Sequence, residues 1–83
     1  MDINVVRKRL SIRSWRRGTK ELDLILGRFS DNNLSMLELY ELDLYEQLLS
    51  NEDHLIYDWL FEKKECPITL ASLIKQIKEG MYE

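Results

Sequence analysis

Residues that could support catalysis or bind a metal are few in this chain of 83 residues. It has one histidine, His54, and one cysteine, Cys66, and no motif places a nucleophile or a base beside either of them. A structural zinc site needs about four such ligands. Paired carboxylates, such as Glu38 with Glu41, recur at helical spacing, which is typical of a solvated helix face. The sequence therefore predicts that the protein is not an enzyme.

A densely charged segment at residues 14–21 carries the strongest indication of a binding site. Gly18 interrupts it, and two interpretations have equal support from the residue types alone. In the first, Gly18 ends a helix in the left-handed conformation and the neighbouring arginines are solvated. In the second, Gly18 lets the backbone of another protein approach closely, while Arg17 binds a carboxylate in bidentate fashion and Glu21 accepts hydrogen bonds from that partner.

The charge of the chain is divided unevenly. The segment up to Glu21 contains seven basic and two acidic residues and so carries +5, and because the whole chain carries −3 the remainder carries −8. A basic N-terminal quarter predicts a contact surface for something acidic, which could be nucleic acid, a membrane or a protein face. The basic residues are Arg7, Lys8, Arg9, Arg13, Arg16, Arg17 and Lys20.

Hydrophobic periodicity predicts a helix on each side of this segment. The first runs over residues 2–15, and the second begins after Thr19, its predicted N-cap, and fades out in the turn-forming run at residues 30–33. Gly27 lies inside the second helix and indicates close packing there, because an internal glycine costs about 1 kcal/mol relative to alanine. The apolar stripes are Ile3, Val6 and Leu10 in the first helix and Leu22, Ile25, Leu26 and Phe29 in the second.

A third helix has the clearest start signal in the sequence. Ser35 as N-cap and Glu38 three residues later form a capping-box pattern, and Leu34 with Leu39 are placed as a hydrophobic staple. This helix is predicted to run to about Leu49. Its predicted buried residues are Leu37, Tyr40, Leu44, Tyr45 and Leu48.

Two more helices complete the prediction. Asp53 is the predicted N-cap of the fourth, which ends in the charged run at residues 62–65 before Pro67, and Thr69 is the predicted N-cap of the fifth, which ends near Gly80. Five short helices without strand alternation predict an all-α protein, a compact five-helix bundle that forms a single domain over residues 1–83. The predicted buried residues are Leu55, Ile56, Trp59 and Leu60, then Leu70, Leu73, Ile74 and Ile77.

The distribution of apolar residues and cysteine sets an expectation for the cellular location. No apolar run approaches the roughly 18 residues of a transmembrane helix, and the first ten residues are too polar for the core of a signal peptide. A single cysteine cannot form an internal disulfide, which fits a reducing compartment. We expect a cytoplasmic protein with no membrane insertion.

Two stretches of the sequence resemble one known family. The run at residues 9–29 closely resembles the SdhE family of succinate dehydrogenase assembly factors, also called flavinators, whose R-G-x-x-E signature appears here as Arg17, Gly18 and Glu21. Residues 53–59 resemble the family's D-P-D-L-Y-D-W, with His54 in place of the proline and Leu55 in place of the second aspartate. The resemblance covers most of residues 7–60.

The resemblance implies a function as well as a fold. Family members look like five-helix bundles that bind the flavoprotein subunit of succinate dehydrogenase and promote formation of a histidyl-FAD bond. We therefore expect an assembly factor that supplies no reacting atom, binds no cofactor stably and acts on FAD attached to its partner. We expect a monomer, and whether fumarate reductase is also a client stays open. The predicted partner-binding residues are Arg13, Arg16, Arg17, Gly18 and Glu21.

Two other functions stay open at this point. A small RNA-binding domain would use the basic first helix, with Trp15 stacking on a base, although −8 on the remainder would allow only a one-sided contact. A generic helical adaptor would bind some other acidic protein through the same helix. The resemblance favours the assembly factor, and we expect no nucleic-acid partner.

Overall fold

The computed structural model describes residues 2–81 of the chain. Within them the backbone forms helices, turns and loops and no strand, which confirms the predicted all-α fold with five helices. Two short 3₁₀ turns, Leu34–Met36 and Ile68–Leu70, precede the third and fifth helices. The helices are α1 (Ile3–Ser14), α2 (Lys20–Asn33), α3 (Leu39–Leu49), α4 (Asp53–Leu60) and α5 (Ala71–Met81).

One hydrophobic core joins the five helices. The stripes predicted from periodicity supply most of it, and among the predicted residues of α1, α2, α4 and α5 only Ile3, Ile25 and Leu55 are half-buried. The radius of gyration is 11.8 Å, which agrees with the value of about 12 Å expected for a compact chain of this length. The described residues therefore form the compact bundle that the sequence predicts.

Gly27 allows α2 to approach the end of α1. A Cβ atom at position 27 would overlap the indole ring of Trp15, so the ring lies directly against the backbone of α2. The indole N–H also donates a hydrogen bond to Asp31 Oδ1 at 3.2 Å. The close helix packing predicted from Gly27 is confirmed.

A small polar network is buried between α1, α2 and α3. Ser14 is fully buried and donates its hydroxyl proton to the carbonyl of Leu10 at 2.7 Å. Its Oγ lies 2.6 Å from the hydroxyl of Tyr45, which is also 3.4 Å from the carbonyl of Leu26 in α2. Burial is the main cause that raises the pKa of Tyr45 to about 12. The network fixes the end of α1 against α3.

The third helix begins three residues later than an N-cap at Ser35 predicts. Glu38 is the N-cap of α3, and its N–H donates to the side chain of Glu41 at 3.1 Å. The carbonyl of Leu37 would be an internal acceptor in a helix that began at Ser35, but here Arg7 of α1 donates to it at 2.9 Å. The Ser35 N-cap prediction is therefore wrong.

The side chains that α3 buries also differ in part from the prediction. Tyr40 was expected in the core but is 68% exposed, whereas Leu42 is buried. Leu44 is half-buried, and Tyr45 and Leu48 are buried as predicted.

Several other helix ends differ from the prediction. The run at residues 30–33 is the last turn of α2, where the Asn33 side chain donates to the carbonyl of Phe29 at 3.0 Å. α4 ends at Leu60, before the charged run, and Glu62 follows it in the left-handed region with φ of 59°. Thr69 lies within a 3₁₀ turn rather than capping α5, and Gly80 lies inside the last turn of α5.

Candidate partner-binding site

The corner between α1 and α2 is a short loop held at both ends. α1 ends at Ser14, and α2 begins at Lys20 with Thr19 as its N-cap, whose Oγ1 accepts a hydrogen bond from the N–H of Leu22 at 3.2 Å. No described glycine has a positive φ, so the left-handed conformation predicted for Gly18 is wrong. Something other than glycine flexibility must define the path of the loop.

Arg17 turns into the protein. Its side chain is 10% exposed and forms an ion pair with Asp53, with Nε donating to Asp53 Oδ1 at 2.8 Å. The guanidinium also donates to the carbonyl of Asn51 at 3.2 Å. The backbone N–H of Arg17 donates to Asp23 Oδ1 at 2.5 Å. Arg17 thus binds a carboxylate of its own chain in this structure, whereas the sequence predicted a carboxylate on a partner protein.

Gly18 contacts the same aspartate. Its N–H donates to Asp53 Oδ2 at 2.5 Å, and a Cβ atom at this position would lie only 2.6 Å from that oxygen. The absence of a side chain therefore gives clearance to an internal carboxylate. This also explains why Asp53 is not the N-cap of α4: Glu52 occupies the cap position, and the carboxylate of Asp53 points to the corner instead.

Arg13 of α1 faces α3. Its Nη1 is 3.4 Å from Glu46 Oε2, and Arg9 reaches the same oxygen at 2.9 Å. Both arginines are about one-third to one-half exposed, so the paired charges stay accessible to water. Arg13 contributes to the packing of α1 on α3 in addition to any external contact.

Arg16, Lys20 and Glu21 are the charged residues of the corner that point outward. All three are exposed, and no ion pair or side-chain hydrogen bond joins them to another residue in the described range 2–81. Glu21 lies in the first turn of α2, where the helix N-terminus favours a negative charge. Of the three signature residues, Glu21 alone presents its functional group to solvent.

Glu21 also lies at the rim of a groove between α2 and α5. The groove has a volume of about 850 Å³, and Arg28 lies on its wall two helical turns after Glu21. Apolar side chains line the groove, and they are Leu24, Ile25, Phe29, Phe61, Ile77 and Met81. The surface around the exposed Glu21 therefore continues into this groove between α2 and α5.

The structure brings together part of the predicted site and adds residues to it. Arg17 and Gly18 meet at Asp53, and Glu21 lies in the first turn of α2, whereas Arg13 pairs across to α3. Sequence reasoning missed the roles of Asp53 and Asp23. Asp53 was detectable, because it is the first residue of the second stretch that resembles the family. The groove had no comparable sequence signal, because its walls come from α2, α5 and Phe61.

Metal-binding clusters and helices able to cross a membrane are both absent from the described residues. Among residues 2–81, no three His, Cys, Asp or Glu side chains cluster so that they could hold a metal ion. No helix in that range combines the length and apolar character needed to cross a membrane.

Comparison with known proteins identifies the family. Residues 8–81 match the family model described as flavinator of succinate dehydrogenase. The chain is similar to succinate dehydrogenase assembly factor 2 of Dictyostelium discoideum, with 38% identity over 80% of this chain and 47% of that protein. It is 44% identical to the FAD assembly factor SdhE of Coxiella burnetii over 54% of this chain and 55% of that one.

A third relative matches along nearly the whole chain. Succinate dehydrogenase assembly factor 2 of Caenorhabditis briggsae is 32% identical over 99% of this chain and 70% of its own length. In the first two relatives the match spans about half of the protein. The corner that contains Arg17, Gly18 and Glu21 lies inside the matched region, and the chain belongs to the family of succinate dehydrogenase flavinators.

Proposed function

We propose that this chain binds the flavoprotein subunit of succinate dehydrogenase and promotes covalent attachment of FAD to a histidine of that subunit. Membership of the flavinator family supports the proposal, as do relatives named for succinate dehydrogenase assembly and for FAD assembly. The observation that carries it is the placement of Glu21, an exposed carboxylate on a corner fixed by internal hydrogen bonds. Such a group is available to a partner without prior rearrangement.

The surface around Glu21 suits a protein client. The carboxylate can accept hydrogen bonds from donors on the client, and Arg16 and Lys20 can approach its acidic groups. The adjoining groove adds apolar area from Leu24 and Ile25, beside polar side chains such as Asn32. Apolar area beside a few fixed charges is a common composition for a protein interface.

The proposed mechanism requires no reacting atom from this chain. Docking would favour the conformer of the client in which its histidine lies within attack distance of the flavin, which is a proximity effect. Since each 1.4 kcal/mol changes a population about tenfold, a preference of a few kcal/mol for that conformer is enough. FAD is thus the substrate of the client, and this chain holds no cofactor of its own.

Binding of RNA receives less support from the structure than from the sequence. Four of the seven N-terminal basic residues make internal contacts: Arg7 with backbone carbonyls, Arg9 and Arg13 with Glu46, and Arg17 with Asp53. Trp15 places one face of its ring against Gly27. The basic surface that would attract phosphates is therefore smaller than the count of charges indicates.

Co-expression tests the proposal. The chain would be expressed with a succinate dehydrogenase flavoprotein subunit in a host that lacks its own assembly factor, and covalent flavin would be measured by fluorescence on a denaturing gel. We expect the wild type to restore the signal and Glu21→Ala to reduce it strongly. Glu65→Ala, which removes an exposed carboxylate from the loop between α4 and α5, is the matched control and should behave as wild type. Equal signals with and without the chain would refute the proposed function. In that case we also expect the chain not to capture the flavoprotein subunit in a pull-down.

A further inference from the structure

We infer that Asp53 is a positioning residue, and that Arg17 and Gly18 act through it to hold Glu21 toward the client. The inference rests on the proposed function and deepens it, since it divides the signature residues by role. Glu21 is the contact residue, whereas Arg17 and Gly18 form an internal clamp with Asp53. Arg17 and Gly18 belong to the first stretch that resembles the family, and Asp53 belongs to the second. The two stretches thus form the clamp together.

Both oxygens of the Asp53 carboxylate are used by the corner. Oδ1 accepts from Arg17 at 2.8 Å and Oδ2 accepts from the N–H of Gly18 at 2.5 Å. The Arg17 guanidinium continues to the carbonyl of Asn51, just before α4. A single carboxylate thus joins the start of α4 to two consecutive loop residues.

The limited exposure of the two charged side chains argues against a direct role for them at the interface, whereas Gly18 is exposed and is assigned to the clamp by its contact with Asp53. The side chain of Arg17 is 10% exposed and that of Asp53 is 28% exposed, which leaves little of either ion for a client to contact. Gly18 has no room for a side chain on the side of Asp53. A client that drew Arg17 outward would leave Asp53 without its charged partner, which is costly for a partly buried carboxylate.

The clamp is connected to Glu21 through the first turn of α2. The backbone N–H of Arg17 donates to Asp23, and Thr19 caps the same helix by accepting from Leu22. Glu21 lies between Thr19 and Asp23, so its backbone is fixed by contacts on both sides. Asp53 and Glu21 share no hydrogen bond, so any energetic coupling between them must pass through the corner.

A double-mutant cycle tests this assignment. The dissociation constant for a purified flavoprotein subunit would be measured for the full-length wild type, Asp53→Ala, Glu21→Ala and the double variant, after circular dichroism has established that each is folded. If Asp53 acts by positioning Glu21, each single change weakens binding about tenfold or more, and the double variant is little weaker than the poorer single variant. Weakening equal to the product of the two single effects would overturn the inference and leave the proposed interface intact.

Two further readouts separate the remaining outcomes. Hydrogen exchange at the Gly18 amide should accelerate at least tenfold in Asp53→Ala and stay unchanged in Glu21→Ala, and unchanged protection in both would overturn the clamp. Wild-type binding that Glu21→Ala does not weaken would refute the proposed contact and, with it, the positioning role. Should Asp53→Ala fail to fold, the isosteric Asp53→Asn replaces it in the same cycle.

Discussion

Gly18 and Gly80 differ in their surroundings, although both lie in exposed parts of the chain. A methyl group at Gly18 would lie 2.6 Å from Asp53 Oδ2, whereas a methyl group at Gly80 would meet nothing within 4 Å. The requirement for glycine at position 18 is therefore steric and comes from a residue 35 positions away. Backbone conformation contributes nothing to it, because neither glycine has a positive φ.

This contrast gives a prediction for stability. Gly18→Ala should lower the free energy of unfolding by about 1–3 kcal/mol, because the carboxylate of Asp53 must move and its contacts with the corner weaken. Gly80→Ala, inside the last turn of α5, should raise it by up to about 1 kcal/mol. Urea denaturation followed by circular dichroism measures both. A neutral Gly18→Ala would mean that the corner accommodates a methyl group without cost.

Tyr45 gives a second prediction at this scale. Burial of its hydroxyl raises the pKa of Tyr45 to about 12 in the folded protein, above the ordinary tyrosine pKa of 10.0. Stability from the neutral hydroxyl is complete below pH 10 and is lost as the pH rises toward 12, at up to about 1.4 kcal/mol per pH unit. The loss over that range should be smaller in Tyr45→Phe, measured by denaturation at each pH. Parallel curves for the two proteins would contradict the assignment.

At the scale of elements, helix α3 shows how a contact from another helix selects one of two local start signals. The sequence predicts an N-cap at Ser35 with Glu38 completing the box, whereas in the structure Glu38 is the N-cap and Glu41 completes the box. The hydrogen bonds from Arg7 to the carbonyls of Leu34 and Leu37 favour the second, because they occupy backbone acceptors before the helix begins.

The start of α3 gives a prediction that uses two neighbouring residues. Leu42→Ala should cost about 2–5 kcal/mol of unfolding free energy, because it leaves a cavity in the core. Tyr40→Ala should change stability by less than about 0.5 kcal/mol, since the side chain is 68% exposed. Thermal and urea denaturation compare the two variants. A larger loss of unfolding free energy in Tyr40→Ala than in Leu42→Ala would support the prediction that Tyr40 is buried and contradict the structure.

Most of the fold could be predicted because its signals are local. The buried stripes of α1, α2, α4 and α5 follow from spacings of three and four residues, and Thr19 is an N-cap that the sequence identifies directly. The candidate site is different, because its central contact joins Arg17 to Asp53 across 36 positions. Periodicity carries no information about such a pair. The resemblance brought both residues into view, but only the fold places them together.

At the scale of the whole molecule, the charge asymmetry in sequence is reduced by folding. The excess of +5 in the N-terminal quarter faces carboxylates from the acidic remainder, with Glu46 paired to Arg9 and Arg13, and Asp53 paired to Arg17. Much of the asymmetry therefore serves to join α1 to the rest of the bundle. At the corner, the charged residues that stay exposed are Arg16, Lys20 and Glu21.

This arrangement predicts weak binding to nucleic acid. A labelled single-stranded RNA of about 20 nucleotides should bind with a dissociation constant weaker than about 10⁻⁴ M at physiological salt, because few free cations remain to displace counterions. Fluorescence anisotropy at several salt concentrations measures it. Micromolar affinity that falls steeply with salt and is lost in Trp15→Ala would favour the RNA-binding alternative.

The most direct test of the central claim uses purified components. The apo flavoprotein subunit would be mixed with FAD, with and without this chain, and the covalent flavin formed over time would be measured by fluorescence after denaturation. We predict a rate that rises and saturates with the concentration of the chain, that falls strongly with Glu21→Ala and that is retained with Glu65→Ala. A time course that the wild-type chain leaves unchanged at saturating concentration would contradict the claim that it promotes FAD attachment.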